Sequence, residues 1–477
     1  MTDRYRIVII GGGFTGTALA IYLGRQAQQP LEVTVIEPRA ALGGGVAYST
    51  TDPAHRINVP AAKMQLSDAE QGDFDRWFRS GDELARDPQA LWRDGAVYPQ
   101  RGAFGRFIAA RFAETASRSL ATLRHLQDRA VDWRPTAAGA TIVTAGGERI
   151  DANITILAVS HPPPSLPARL ALALGQHPAL IADPWRENAL ATVSPTDNVA
   201  IIGTGLTMAD IVASLQLRGH RGHITAFSRR GLLPRPNVTG SDVLWSIEPP
   251  LDSSCATTRN WLRRVRQAVA QAAAEGVPWQ AVLDDVRTRG QALWQQLSTL
   301  EQRRFLRHVR PYWDVHRYRI APQVSALLQE KQRAGVFCVL AARLGDIAVD
   351  GVNIELHLRR RDGGDEHFTA QKFIVSTGPA HGSLVDDNLL LRGLAALGQI
   401  QPDELGLGLL VDAQSQAIGF TGEANRRLLV AGPAARGRFG ELMGLPQVAE
   451  HAQSIANALL SKLPSLSSSG RCPASTL

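Results

Sequence analysis

Two glycine-rich stretches carry the first chemical signal in this chain. Gly11-Gly12-Gly13-Phe14-Thr15-Gly16 has the form GxGxxG. Its first glycine permits a tight turn, its second admits a pyrophosphate against bare backbone, and its third lets helix and strand pack closely. Glu37 follows 21 residues after Gly16, where a carboxylate can accept both hydroxyls of a ribose. The second stretch, Gly203-Thr204-Gly205-Leu206-Thr207-Met208, puts methionine in the third glycine's place, so its helix and strand are expected to pack less tightly. Ser228-Arg229-Arg230 then stands where the acid would be. Arg229 and Arg230 can fork onto a 2′-phosphate; the competing reading is a solvated basic turn.

Two further groups could touch a substrate. Asn58, before Val59-Pro60, can hydrogen-bond a bound cofactor or substrate, or can serve the turn that an X-Pro pair favours. The stretch 303–319 interleaves six arginines with Tyr312, Trp313 and Tyr318. Arg310, Tyr312 and Trp313 could grip a planar anion by stacking and bidentate hydrogen bonds. The same mixture suits single-stranded nucleic acid or an ordinary helix surface. His308 and His316 have no Cys or His partner at metal spacing, and no metal is expected. Ser160 and His161 are adjacent on a strand and point apart, so they form no nucleophile pair.

The elements that must position these residues are legible from periodicity. Residues 5–10 form a buried strand, Thr17–Leu23 a helix and Leu31–Ile36 a second strand, which is a βαβ unit of a parallel sheet. The pattern recurs over Asn198–Ile202, Met208–Leu217 and His223–Phe227. Helical periodicity fills 257–331, with Trp261, Val265 and Val269 on one face and Thr257 or Thr258 as N-cap. Strand patterns return at Val336–Leu340, Val352–Leu358 and His367–Val375, with a turn at 362–365. The last helix runs Pro446–Leu459.

The predicted fold is α/β, with two Rossmann-like dinucleotide-binding domains and a helical insertion. The expected organisation is 1–165 and 373–460 for an FAD domain, 166–255 and 336–372 for an NAD(P)H domain, 256–335 for the insertion, and 461–477 for a disordered tail. A ribose-tuned cradle followed by a phosphate-tuned one points to FAD first and NADPH second, with NADH possible.

Composition narrows the function classes. The 477 residues are 44% hydrophobic and 20% charged, which excludes wholesale disorder. The net charge of +7 favours an anionic small molecule or a polyanion as partner and does not choose between them. Three dispersed cysteines, Cys255, Cys338 and Cys472, without CxxC disfavour a redox dithiol and fit a reducing cytoplasm. The longest apolar runs are too short to span a membrane or to form a signal sequence.

The chain resembles the two-dinucleotide-binding flavoproteins, which include flavin monooxygenases and N-hydroxylating monooxygenases. Within them it looks most like a bacterial FAD/NAD(P)-binding family, through Gly45-Val46-Ala47-Tyr48-Ser49-Thr50, Ile57-Asn58-Val59-Pro60-Ala61, Asp183-Pro184-Trp185, the second glycine stretch and Arg310-Pro311-Tyr312-Trp313-Asp314. Members include an FAD-dependent urate hydroxylase and aspartate N-hydroxylating enzymes. The sequence departs from the wider pattern at Ala158-Val159-Ser160-His161, Ser376-Thr377-Gly378-Pro379 and Ala431-Gly432-Pro433. The last of these stands where an Asp often meets the ribityl chain.

The resemblance implies an FAD-dependent monooxygenase that uses NAD(P)H and oxygen through a flavin-4a-hydroperoxide. Urate, converted to 5-hydroxyisourate, is the expected substrate; N-hydroxylation of a small amino acid such as aspartate is the alternative. A flavin reductase with another acceptor and a non-catalytic nucleotide-binding regulator are the remaining classes. No nucleic acid or membrane partner is expected.

Overall fold

The computed structural model describes residues 5–159, 162–238, 243–248, 251 and 256–463. Ser160, His161, Cys255 and the segment 464–477, which holds most of the expected tail, lie outside the described residues.

Strand β1 (Tyr5–Ile10) is rich in Ile and Val, and glycines end it. The helix Phe14–Gln26 follows directly, and β2 (Leu31–Ile36) lies parallel to β1, with Ile7 beside Val33. The helix Arg101–Arg118 leads into β3 (Thr122–Leu126), parallel to β2. A small antiparallel sheet of β4 (Ala130–Pro135), β5 (Ala140–Thr144) and β6 (Arg149–Ala152) precedes β7 (Ile154–Leu157). The chain then builds a second sheet from β8 (Leu180–Ile181), β9 (Val199–Ile202), β10 (Ile224–Ser228), β11 (Phe337–Asp350), β12 (Asn353–Arg360), β13 (Asp365–Ala370) and β14 (Lys372–Val375). Finally β15 (Gln416–Ile418) and β16 (Ala424–Val430) return to the first sheet, whose order is β15-β16-β7-β1-β2-β3. The order of the second is β13-β12-β11-β10-β9-β14-β8. Each is a parallel sheet with an antiparallel margin, the architecture that two βαβ repeats predict.

Three expected boundaries shift. The stretch 367–375 is two strands, since β13 pairs antiparallel with β12 while β14 inserts parallel beside β9. Residues 373–375 therefore belong to the second domain, and the chain leaves it after Val375. The helix Pro322–Arg333 packs on helix Leu206–Leu217 and against β11. It is the crossover that a parallel β10–β11 pair requires, so the insertion ends before it. Within the insertion Thr257 caps the helix Thr258–Ala274, its hydroxyl accepting from the Asn260 amide at 3.2 Å.

The main core lies between the first sheet and the helices Phe14–Gln26, Arg101–Arg118 and Gln447–Leu460, and it continues into Ile201, Met208 and Ile211 of the second domain. A buried ion pair crosses the same junction. Arg101 meets Asp210 at 2.7 Å with both side chains 7% accessible, and Trp185 packs against its guanidinium. Beside it His55 bridges Thr50 and Ser214. An ion pair cut off from water tolerates neither partner's loss, so the junction holds the two domains in one relative placement.

Candidate functional site

The first cradle has the geometry its glycines predict. Gly11 adopts φ +105° and its amide donates to the Ile36 carbonyl at 2.9 Å. A Cβ on Gly16 would lie 2.0 Å from the Gly11 oxygen, so only glycine lets this helix sit on its strand. Glu37 is 4% exposed. One carboxylate oxygen accepts the Gly12 amide at 2.9 Å, the other accepts Arg39 Nη1 at 2.9 Å. Thr17 ties the cradle to the next glycine run, donating to the Gly12 carbonyl and accepting from the Gly43 amide.

A cavity of about 640 Å³ follows this cradle. Glu37, Arg39 and Arg129, the glycines Gly13, Gly44 and Gly45, and Tyr48, Pro433 and Leu445 all line it. These walls hold what a dinucleotide needs: polar groups for a nucleoside, bare glycines for a pyrophosphate, and aromatic and apolar groups for a fused ring. Beside Leu445 stand the N-terminal residues of helix Gln447–Leu460, with Val448 on the wall, and its dipole favours negative charge there. In the segment that departs from the common ribityl pattern, Gly432 has φ +76° and abuts Thr15. The Gly432 amide donates to Nδ1 of His451, whose Nε2 bonds the Ser415 hydroxyl. Burial lowers the pKa of His451 to about 4, so it is neutral at physiological pH.

The second cradle repeats the turn. Gly203 has φ +110° and its amide donates to the Phe227 carbonyl at 2.8 Å. A Cβ on Gly203 would sit 2.3 Å from the Ser376 oxygen, whereas one on Gly205 would meet open space. Met208 is fully buried in the core. The two arginines part company. Arg229 is exposed and forms no hydrogen bond or ion pair among the described residues. Arg230 donates to the His308 carbonyl at 3.0 Å and stacks on Tyr312 at 4.8 Å. It fastens the insertion to the second domain.

Arg310, Tyr312 and Trp313 all line a second cavity, of about 680 Å³, between the insertion and the segment 436–443. Arg310 bonds Asp314 at 3.3 Å, and each of these side chains is 37% accessible because it faces the cavity. Burial raises the pKa of Asp314, with Arg310 and Arg436 opposing the shift. The Trp313 indole N–H donates to Glu441 at 3.3 Å, and Arg317 clamps the same carboxylate at 2.7 Å. Asn58 lines neither cavity. Its carbonyl accepts from Asn237 at 2.7 Å and its side-chain oxygen from Arg101 at 3.4 Å, which places it at the domain junction.

Sequence reasoning did not single out Glu441, Met443 or Arg287. Met443 lines both cavities, and Arg287 of the insertion donates to the Leu445 carbonyl and to Gln447. Glu441 and Met443 come from a segment without motif or periodicity, and Arg287, although on a helix-patterned stretch, is one basic residue among many there, so spacing offered no signal for any of them.

Residues 8–162 match the family model described as FAD-NAD(P)-binding. The chain thus begins with an FAD/NAD(P)-binding domain. No curated protein matches it. Solved structures match across almost its whole length. An ornithine hydroxylase from Pseudomonas aeruginosa superposes with TM-score 0.61 at 15% identity, covering 96% of this chain and 99% of that one. A cadaverine monooxygenase from Erwinia amylovora, bound to FAD, gives 0.59 at 13% identity over 97% and 95%. L-lysine 6-monooxygenase from Pseudomonas syringae gives 0.57 at 15% over 95% and 98%. These likenesses establish the shared two-domain α/β fold.

Proposed function

We propose that this protein is an FAD-dependent, NADPH-using monooxygenase that hydroxylates the nitrogen of an amine. The observation that carries the reading is Met443, which stands on the walls of both the dinucleotide-shaped cavity and a second chamber large enough for a substrate. FAD, once bound and reduced by NADPH, supplies the electrons that activate dioxygen. The chain's residues do the rest. Gly11 and Gly13 receive the pyrophosphate and Glu37 the ribose, while Gly203, Gly205 and Arg229 receive NADPH.

Amine chemistry suits the second chamber because a nucleophilic nitrogen must arrive unprotonated. Asp314 faces the chamber, and its raised proton affinity equips its carboxylate to take that proton. Arg310 and Arg436 beside it disfavour an ammonium ion. The fold-level likeness to proteins named as ornithine, lysine and cadaverine hydroxylating enzymes supports this reading as analogy.

Urate hydroxylation is the second reading, because Arg310, Tyr312 and Trp313 do share a wall. It is weaker: Arg310 is engaged by Asp314, Trp313 by Glu441 and Tyr312 by Arg230. NADPH oxidation in air, with amine or urate present, separates the readings. Stoichiometric hydroxylamine supports the proposal, and urate consumption overturns it. Peroxide release that no amine diminishes would indicate a reductase.

A further inference from the structure

We infer that the molecule received by the second chamber is an amine with a bulky apolar body, rather than a small polar amino acid. This deepens the proposed monooxygenase reading and rests on it. The chamber's volume of about 680 Å³ lies in the range of sites that enclose whole drug-sized ligands. Its walls are mostly apolar: Trp261, Val265 and Val269 face it from helix Thr258–Ala274, Leu283 and Trp294 from the next two helices. Trp261, Val265 and Val269 are spaced i, i+4, i+8, so one helix face is devoted to this lining.

Thr258 and Arg266 also line it from helix Thr258–Ala274, and His308 and His316 line it too, but its carboxylates, Asp314 and Glu441, are gathered on one wall. Arg310 and Asp314 project from helix Arg310–Arg317, and Arg436 and Glu441 from the segment that ends at Met443. Glu441 is already bonded to Arg317 and Trp313, which leaves the partly accessible Arg310–Asp314 pair for the substrate's single polar end. A free amino acid such as ornithine or aspartate needs partners for two or three charges, and its short body would leave the tryptophan and leucine walls facing water. An apolar body against those walls gains free energy in proportion to the area it buries. A polar end on the Arg310–Asp314 side places the reacting nitrogen on the wall that adjoins the dinucleotide cavity.

The test uses the FAD-bound protein and a series of linear primary amines, butylamine to decylamine. Binding is followed through the fluorescence of the tryptophans on the chamber wall, without turnover. Affinity should tighten about three- to fourfold per added methylene until the chamber is full, and putrescine and ornithine should bind at least a hundredfold more weakly than octylamine. Val265→Trp fills the chamber and should flatten the chain-length gradient while FAD content stays at the wild-type level. Should Val265→Trp fail to fold, Leu283→Trp tests the same wall from another helix. A flat series in the wild type, or a gradient that survives in a folded, filled variant, overturns the inference. NADPH oxidation with the same amines is measured separately. If long amines bind but stimulate no oxidation and yield no hydroxylamine, the monooxygenase reading falls and the apolar chamber stands. If ornithine or putrescine drives hydroxylamine formation as well as octylamine does, the apolar-substrate inference falls and the reading stands.

Discussion

The two glycine cradles are the same turn serving different chemistry. In each, the first glycine has a positive φ near +105° to +110° and an amide bonded to the end of the neighbouring strand. In each, the space for a Cβ is taken by a carbonyl from the strand on the other side, Ala158 in the first and Ser376 in the second. They differ where the ligand's sugar would lie. Glu37 is buried and held by an amide and by Arg39, whereas Arg229 is exposed and unpaired among the described residues. The backbone turn is common to the two units, and the side chain past the second strand, Glu37 in one and Arg229 in the other, is where they differ. They also differ in packing. Gly16 admits no Cβ, while Met208 stands in the equivalent place of the second unit and is fully buried, so this turn accommodates a large third residue in the core.

Charge placed on the two turns breaks the comparison most severely. Gly13→Asp sets a carboxylate against a pyrophosphate, and the purified variant should lose its flavin absorbance entirely. Gly205→Asp should keep the flavin but no longer permit its reduction by NADPH. Loss of flavin from Gly205→Asp, or its retention by a folded Gly13→Asp, would show that the assignment of cofactors to cradles is reversed or wrong.

The next largest effect belongs to the first cradle alone. His451, neutral and buried beneath Gly432, has a folded pKa of about 4 against an ordinary 6.5. Because the unfolded chain binds the proton more readily, stability is fully present above about pH 6.5. It falls by roughly 1.4 kcal/mol per pH unit as the pH drops toward 4. Urea midpoints between pH 7 and 4.5, read by flavin release, should fall in the wild type and fall less steeply in His451→Gln. Identical slopes would remove the histidine from the account.

A smaller effect separates the two arginines of the second cradle. Arg229→Ala should raise the KM for NADPH roughly ten- to a hundredfold, the worth of about 1.5–3 kcal/mol in phosphate contacts, and leave that for NADH unchanged. Smallest of all, Arg230→Ala should cost about 1 kcal/mol of stability through its lost carbonyl bonds and its stack on Tyr312. Its effect on the NADPH-to-NADH ratio should be weaker than that of Arg229→Ala. Equal ratios for the two variants would mean that both arginines touch the phosphate.

Much of this was legible in the sequence because it is local. Glycines at fixed spacing, a β-branched run and an acid in register are properties of 30 consecutive residues, and both βαβ units stand where their patterns put them. The Thr257 cap and the apolar face of Trp261, Val265 and Val269 were equally visible. What sequence reading missed is assembled from afar. Gln371 separates two strands that sequence reading joined into one β-patterned stretch, and only their partners, β12 and β9, tell them apart. Asn58 reads either as a ligand contact or as a turn residue before an X-Pro pair, and nothing local says that Asn237, 179 residues away, donates to its carbonyl. Arg229 and Arg230 are neighbours of one type, and nothing local says that the second is spent on carbonyls of the insertion. The chamber itself is assembled from segments scattered between 251 and 443, of which only 310–314 carries a stretch that sequence reading singled out.

Met443 has one more consequence, for water. A side chain shared by two chambers makes each the boundary medium of the other. While the apolar chamber holds solvent, the flavin end of its neighbour borders a polar, reorienting medium. Once a greasy molecule expels that solvent, the same wall borders hydrocarbon, and every charge near Leu445 and Val448 acts through a lower dielectric. Through the bonds of Arg287 to Leu445 and Gln447 the insertion also fixes the start of the helix whose dipole faces that end. Occupancy on one side of a single thioether thus sets the solvation on the other, a link made by exclusion rather than by motion.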